Sequence, residues 1–271
     1  MTASSLPFGP DTVSWRIDLE PVVVLGGGRA VLLQVAHPLV AAGVEQHSAY
    51  EHDPYGRLFG TLDVMTKLVF GTPDISRRQT AILADIHRTV TGRSDDGIAY
   101  SAQDPALLVW VWATLVDTAV VMYEAVFGPL PSVDLDRFYA EQRLVAAGCG
   151  VPDGAVPATR GDFDAYLGYT VASTLRVTPA ARAVAANILS PPLPWYLRPA
   201  RYPANLVTTG LLPGALRSGY GLGWDRGRER ALRTTLAMLR ATVPHVPRSL
   251  RQRPLLSMAG PERARPPSFL R

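Results

Sequence analysis

Residues 104–129 read DPALLVWVWATLVDTAVVMYEAVFGP and contain the longest apolar stretch of the chain. The opening Asp-Pro pair is typical of a helix start, because a proline fits the first helical turn. The closing Gly-Pro pair is typical of a helix end. The apolar part, 106–122, is slightly shorter than the ~20 residues that span a bilayer, and Asp117 interrupts it. The stretch therefore predicts a buried core helix and no transmembrane segment.

The rest of the chain has the same helical period. Apolar residues recur three and four positions apart, and alternating runs of β-branched residues are rare. Helices are predicted near residues 28–49, 55–70, 74–92, 134–147, 159–175, 179–188 and 227–241. Residues 190–203 hold too many prolines for a regular helix, so we expect an ordered loop there, with Trp195 and Tyr196 packed inside. The pattern predicts an all-α fold.

Composition and charge indicate one folded domain with a basic tail. Of the 271 residues, 47% are hydrophobic and only 18% are charged, which excludes a disordered chain. Residues 246–271 carry six arginines, one glutamate and five prolines. We therefore predict a helical domain over 1–245 and an extended or disordered tail over 246–271. The basic residues accompany no nucleic-acid-binding motif, so we predict no nucleic-acid partner.

Cysteine content and the N-terminus point to the cytoplasm. The single cysteine, Cys149, excludes an intramolecular disulfide and any site built from several thiolates. The first residues, MTASSLPFGPDTVSW, lack a basic and then apolar secretory signal, so a cytoplasmic location is expected. The excess of apolar residues is compatible with a homodimer.

The glycine run VVVLGGG at 22–28 does not encode a dinucleotide site. The third position of the fingerprint that starts at Gly26 is Val31, which is too large for the close helix–sheet contact that the motif requires. The triple glycine is interpreted as a turn.

His87 lies on the edge of an apolar stripe in the predicted helix 74–92. The stripe consists of residues three and four apart, namely Ile75, Ile82, Leu83, Ile86 and Val90. An imidazole facing the interior must be neutral and hydrogen-bonded, or bound to a metal, because burying its charge is costly. Periodicity alone leaves both roles open.

The preceding predicted helix places polar side chains on an apolar face. Arg57 and Thr61 share that face with Met65 and Leu68, at steps of four, four and three. A guanidinium there needs a carboxylate, a carbonyl or a bound anion, unless it extends to solvent at the helix N-terminus. The two adjacent helices would direct Arg57, Thr61 and His87 into one apolar space, a suitable lining for a metal cofactor with an anionic rim.

This half of the chain resembles a known family. The segments that carry the resemblance are QVAHPLVAAGV (34–44), HS (47–48), DP (53–54), RLFGT (57–61), IH (86–87) and YSAQDP (100–105). They resemble the uncharacterised bacterial proteins that are grouped with the latex-clearing rubber oxygenases and the fungal oxygenase of the mycophenolic acid pathway. The resemblance covers roughly residues 15–240 and is densest from Gln34 to Pro105.

The resemblance implies an α-helical protein with a pocket for haem b between its helices. By position within the pattern, His87 resembles the axial iron ligand, and Arg57 and Thr61 resemble the arginine and threonine of the distal side. The rubber oxygenases have a lysine directly before that threonine. This chain has Gly60 there, so a lysine cannot fill the sixth coordination position.

Two roles within the implied site stay open. Arg57 would either pair with a haem propionate or polarise dioxygen, while Thr61 would hydrogen-bond the distal oxygen. Glu45 and Glu51 both lie in the neighbourhood of the catalytic glutamate of the rubber oxygenases.

The expected function is therefore that of a haem-b-dependent oxygenase, with His87 as the iron ligand. Its partners would be dioxygen and a small apolar substrate, and the relatives imply alkene cleavage. One alternative is a non-catalytic helical protein that binds haem or a lipid-like ligand. Another is a non-haem metal enzyme using His37, His47 and His52, although His52 points about 140° away from His47 on a helix. The proline after His37 favours a helix break at that residue.

Overall fold

The apolar stretch forms a single helix, Pro105–Phe127, in the computed structural model of the protein. The structure describes residues 6–47, 54–152 and 154–260, without the side chains of 54–59 and 197. The described helices are α1 (Val13–Asp18), α2 (Pro21–Leu25), α3 (Gly27–Val35), α4 (Pro38–His47), α5 (Pro54–Phe70), α6 (Pro73–Thr89), α7 (Pro105–Phe127), α8 (Ser132–Gly148), α9 (Arg160–Ser173), α10 (Pro179–Leu189), α11 (Arg198–Gly210), α12 (Gly214–Gly219), α13 (Arg226–Thr242) and α14 (Arg248–Ala259). The all-α prediction is confirmed.

Helix α7 is the core helix around which the others pack. It contacts α1, α2, α3, α8 and α13. Trp110 on one side belongs to a cluster with α3, α4 and α10, whereas Trp112 packs edge-on against Phe163 of α9 at 5.6 Å. Among the described residues, α7 alone is long and apolar enough to cross a membrane, and more than half of its most apolar window is buried in the protein.

The predicted helix 28–49 is two helices. Helix α3 ends at Val35 and α4 begins at Pro38, so the chain breaks at His37 as its following proline indicated. The backbone N–H of His37 still donates to Gln34 O at 3.1 Å. Residues 48–49 lie outside the described part of the chain.

A two-stranded antiparallel sheet interrupts the helices between α6 and α7. Strands β1 (Thr91–Arg93) and β2 (Ala99–Ser101) pair with Gly92 opposite Tyr100. Gly97 in the connecting turn adopts a φ of 76°, which favours glycine. The prediction of a helix up to residue 92 is wrong for its last three residues.

The prediction of a loop over 190–203 is wrong for its second half. A short 3₁₀ turn, Trp195–Leu197, leads directly into α11, which contains Pro203. Burial of the aromatic side chains is also wrong, since Trp195 is 78% exposed and Tyr196 is 62% exposed. The last turns of α11 form the packed part, through Leu206 and Val207.

The prediction of an extended tail over 246–271 is wrong for residues 248–259. These residues form α14, which packs against α5 through the buried Leu255 and Ala259. Its Arg251 forms an ion pair with Glu20, which lies at the start of α2 and is 1% exposed. The packed chain therefore extends beyond residue 245, and residues 261–271 lie outside the described part.

Candidate functional site

Helices α5 and α6 form the hairpin that carries the predicted site residues. The connection is only Gly71 and Thr72, and the Thr72 side chain caps α6 by accepting from Ile75 N at 3.4 Å. Ser76 of α6 then donates to Leu68 O of α5 at 2.6 Å, which ties the two helices together. So short a connection requires two antiparallel neighbours.

The hairpin brings Arg57 and His87 to the same level. Arg57 lies fourteen residues before Gly71 and His87 lies fifteen residues after Thr72. At 1.5 Å per residue, both backbones are about 21 Å from the turn. Thr61 lies about four residues closer to the turn on α5, or about 6 Å along its axis. The predicted adjacency of these two helices is confirmed, and the side chain of Arg57 lies outside the described part.

The His87 ring is half-buried near the open end of the hairpin. Among the described residues it has no hydrogen-bond partner, although its backbone carbonyl accepts from Val90 N at 3.3 Å. Burial lowers the pKa of His87 below its usual value, because desolvation disfavours the imidazolium. The ring is therefore neutral at neutral pH and keeps a lone pair available for a ligand bond.

The apolar stripe of α6 is only partly covered. Leu83 packs with the cluster beneath α5, but Ile82 is 37% exposed and Ile86 is 45% exposed. The prediction that the whole stripe faces the interior is therefore wrong. Helix α6 uses one side of its stripe to contact α5 and leaves Ile82 and Ile86 on the other side uncovered.

Thr61 lies on the exposed surface of α5, next to Gly60. A Cβ placed on Gly60 would meet no atom of the described residues within 4 Å, so these residues leave the space in front of Gly60 open.

The alternative metal site is not assembled by the described residues. They contain no group of three or more histidine, cysteine or acidic side chains that could hold a metal ion. His47 Nε2 lies 2.9 Å from Thr91 O, so its ring fastens α4 to β1. His37 Nδ1 is buried without a partner among the described residues, and burial lowers the pKa of His37 despite the opposing effect of Asp104. His52 lies outside the described residues.

Of the two glutamate candidates, only Glu45 lies within the described residues. Glu51 lies outside the described residues. Glu45 is exposed on α4 and lines a cavity of about 300 Å³ together with Asp96 and Arg176, which form an ion pair. His87 does not line this cavity. Sequence reasoning missed Arg176, because it lies between helices and has no periodic or motif signal.

Sequence reasoning also missed the buried ion pair that fixes α3 to α7. Arg29 is 5% exposed, and its Nη2 lies 2.7 Å from Asp117 Oδ2. It also donates to Thr118 Oγ1 at 2.6 Å and to Leu211 O at 2.8 Å. The sequence signal for this ion pair is Asp117, an acidic residue inside the most apolar helix, which sequence reasoning interprets only as an interruption of the apolar run.

Fold and site define an all-α protein with a neutral histidine that no described residue hydrogen-bonds, on a partly uncovered apolar helix. The family model described as the catalytic domain of the ER-bound oxygenase mpaB/B′ and of rubber oxygenase matches residues 15–241. The chain belongs to this family, which supports a general role as an oxygenase.

The similar curated proteins come from mycobacteria. An uncharacterised protein of Mycobacterium bovis is 29% identical over 225 residues, covering 79% of this chain and 88% of the relative. An uncharacterised protein of Mycobacterium tuberculosis matches with the same identity and coverage. No solved structure matches significantly.

Proposed function

We propose that this protein is a haem-b-dependent oxygenase that uses dioxygen to oxidise or cleave a small apolar substrate, with an alkene as the bond attacked. His87 would hold the haem iron through its neutral imidazole nitrogen. The observation that carries the proposal is the neutral His87 ring, which has no hydrogen-bond partner among the described residues and lies level with the backbone of Arg57 in a chain of the oxygenase family.

The chemistry of the donor set fits haem. A haem iron needs an axial nitrogen donor, and a neutral imidazole on a rigid helix supplies one. The porphyrin has wide apolar faces, and the uncovered Ile82 and Ile86 of the same helix offer apolar surface. Its two propionates need a cation, which Arg57 at the same level of α5 can provide. The described residues also leave space for a bound group in front of Gly60 on the same helix.

Each residue has a separate task in this proposal. Bound haem supplies the electron transfer that allows dioxygen to react with an organic substrate. His87 holds the group and tunes it through its neutral nitrogen. Arg57 would pair with a propionate or orient dioxygen, and the Thr61 hydroxyl would donate a hydrogen bond to the bound oxygen. With Gly60 in place of a lysine, that position would supply no side-chain ligand to the iron.

Haem binding is tested by absorption spectroscopy of the protein reconstituted with haemin. The wild type is expected to show a Soret band, and His87→Gly is expected to lose it and to regain it with added imidazole. His245→Ala is the matched control, because His245 is an exposed histidine in the 3₁₀ turn that follows α13. A wild-type preparation without a Soret band, or a His87→Gly spectrum equal to that of the wild type, would refute the role of His87.

Catalysis is tested separately from binding. The reduced haem protein is expected to consume dioxygen when an unsaturated hydrocarbon is added, and Thr61→Val is expected to slow this consumption while retaining the Soret band. Haem binding without any dioxygen consumption would instead support the non-catalytic binding protein.

A further inference from the structure

Three aromatic side chains are exposed in one short segment that runs from the 3₁₀ turn after α10 into the start of α11. Trp195 is 78% exposed, Tyr196 is 62% exposed and Tyr202 is 61% exposed. Removing a large aromatic ring from water is favourable. Three exposed rings within eight residues could therefore contribute a sizeable binding free energy if another surface covered them. We call residues 195–202 the aromatic segment.

The aromatic segment is held in a fixed shape. Trp195 and Tyr196 lie in the 3₁₀ turn, and their rings meet edge-on with centroids 5.9 Å apart. Prolines precede the turn at 191, 192 and 194, and Pro199 and Pro203 lie in the helix that follows. Proline restricts the backbone, so little conformational entropy is lost when such a segment binds a surface. The later turns of α11 anchor it through the buried Leu206 and Val207.

The charge of the aromatic segment is purely positive. Arg198 and Arg201 are exposed, and they share a helical face with Tyr202 at steps of three and four. No acidic residue occurs anywhere between positions 165 and 224. Neither arginine forms an ion pair with a described residue, whereas the neighbouring Arg217 is held by Gly210 O and Leu212 O.

We propose that the aromatic segment docks the protein on the surface of an anionic lipid bilayer. Tryptophan and tyrosine favour the interface between headgroups and acyl chains, where an apolar ring with a polar edge is well solvated. Arginines beside them are attracted to anionic headgroups. Rings and guanidinium groups on one protruding helix end can insert together, which is the amphipathic arrangement of interfacial segments.

A single-stranded nucleic acid is the other polyanion that binds aromatic and basic side chains. Such ligands require a groove in which several bases stack in succession along a basic track. The aromatic segment instead forms a protruding turn and helix end with two arginines. A bilayer therefore fits its shape better, and the proposal does not depend on the haem site.

The experiment is co-sedimentation of the full chain with lipid vesicles. The wild type is expected to bind phosphatidylcholine vesicles containing about 30 mol% phosphatidylglycerol, and to bind pure phosphatidylcholine vesicles much more weakly. Arg198→Ser combined with Arg201→Ser is expected to weaken binding to the anionic vesicles about 30-fold, from about fivefold per arginine near the surface. Trp195→Ser combined with Tyr196→Ser is expected to abolish binding, and increasing salt is expected to weaken the wild type.

Tyr169→Ser is the matched control, because Tyr169 is an equally exposed tyrosine, at 71%, on α9. It is expected to bind as the wild type does, and circular dichroism of all variants checks that each is folded. The proposal is overturned if the wild type binds neither vesicle, if the arginine or aromatic variants bind unchanged, or if Tyr169→Ser loses as much. It is equally overturned if these substitutions abolish binding of a fluorescent oligothymidylate or dissociate a dimer while vesicle binding stays constant.

Discussion

Arg251 is the residue through which α14 forms an ion pair with the buried Glu20 at the start of α2. The Glu20 carboxylate is 2% exposed, and Arg251 Nη2 and Nε lie 2.8 and 2.9 Å from its two oxygens. Gln252 Nε2 adds a hydrogen bond of 3.2 Å. Arg248 is a weaker partner, at 4.0 Å and with 43% of its side chain exposed.

Arg251→Ala is therefore expected to destabilise the protein far more than Arg248→Ala. Removing one partner of a buried ion pair leaves an uncompensated charge and costs about 3–5 kcal/mol. An exposed pair contributes only about 0–1 kcal/mol. Since a domain is stable by about 5–15 kcal/mol, the first change removes a large fraction of the free energy of unfolding. Combining Glu20→Gln with Arg251→Met removes both charges and is expected to recover part of the loss.

The assay is urea unfolding followed by far-ultraviolet circular dichroism, with the free energy of unfolding extrapolated to water. The three proteins, Arg251→Ala, Arg248→Ala and the double variant, are compared with the wild type. If the two single variants differ by less than about 1 kcal/mol, or if the double variant is no more stable than Arg251→Ala, the buried charge does not govern the packing of α14.

Two further changes test buried groups elsewhere. Burial raises the pKa of Asp18 to about 7 from 3.8. The folded state therefore holds this proton more tightly, and stability present below the unfolded pKa is lost as pH rises through about 7. Asp18→Asn is expected to flatten the dependence of Tm on pH between pH 3.8 and about 7. An unchanged slope would argue against a raised pKa of Asp18. Gly26→Ala would place a Cβ 2.5 Å from Met122 Cγ. It is expected to cost about 1–3 kcal/mol in urea unfolding, whereas Gly9→Ala, with its nearest atom at 3.9 Å, should cost less.

The core helices could be predicted because their signals are local. The α7 stretch contains its own start signal, end signal and apolar run. Helix α6 begins one residue before its predicted start at position 74. Asp104 caps α7 through Ala106 N at 2.8 Å, as its place before a proline indicated. Such features depend on residues within one or two turns, so a single sequence contains them.

Helices α11 and α14 could not be predicted because tertiary packing outweighs their prolines. A proline inside a helix costs about 3 kcal/mol and leaves one carbonyl without its donor. In α14 the carbonyl deprived by Pro254 belongs to Leu250, a residue that is 59% exposed and accessible to water. Burial of Leu255 and Ala259 against α5 then stabilises the helix. The partner of that packing lies almost 190 residues earlier in the chain, and no local rule contains it.

The sequence predicted the two helices that carry the site residues, but it did not predict which other elements surround those residues. Periodicity placed His87 on an apolar stripe, yet it could not say which elements would cover the stripe. In the structure both α14 and α6 pack against α5, whereas Ile82 and Ile86 of α6 remain exposed.

This arrangement links the C-terminal helix to the proposed haem ligand. The position of α6 depends on α5, and α5 is supported by Leu255 and Ala259 of α14. Loosening α14 should therefore increase the motion of α5 and α6 before it unfolds the distant α7 core, because packed elements transmit displacement to their neighbours. On the proposed function, an intact C-terminal helix is a requirement for holding His87 in place, even though none of its residues needs to touch the haem.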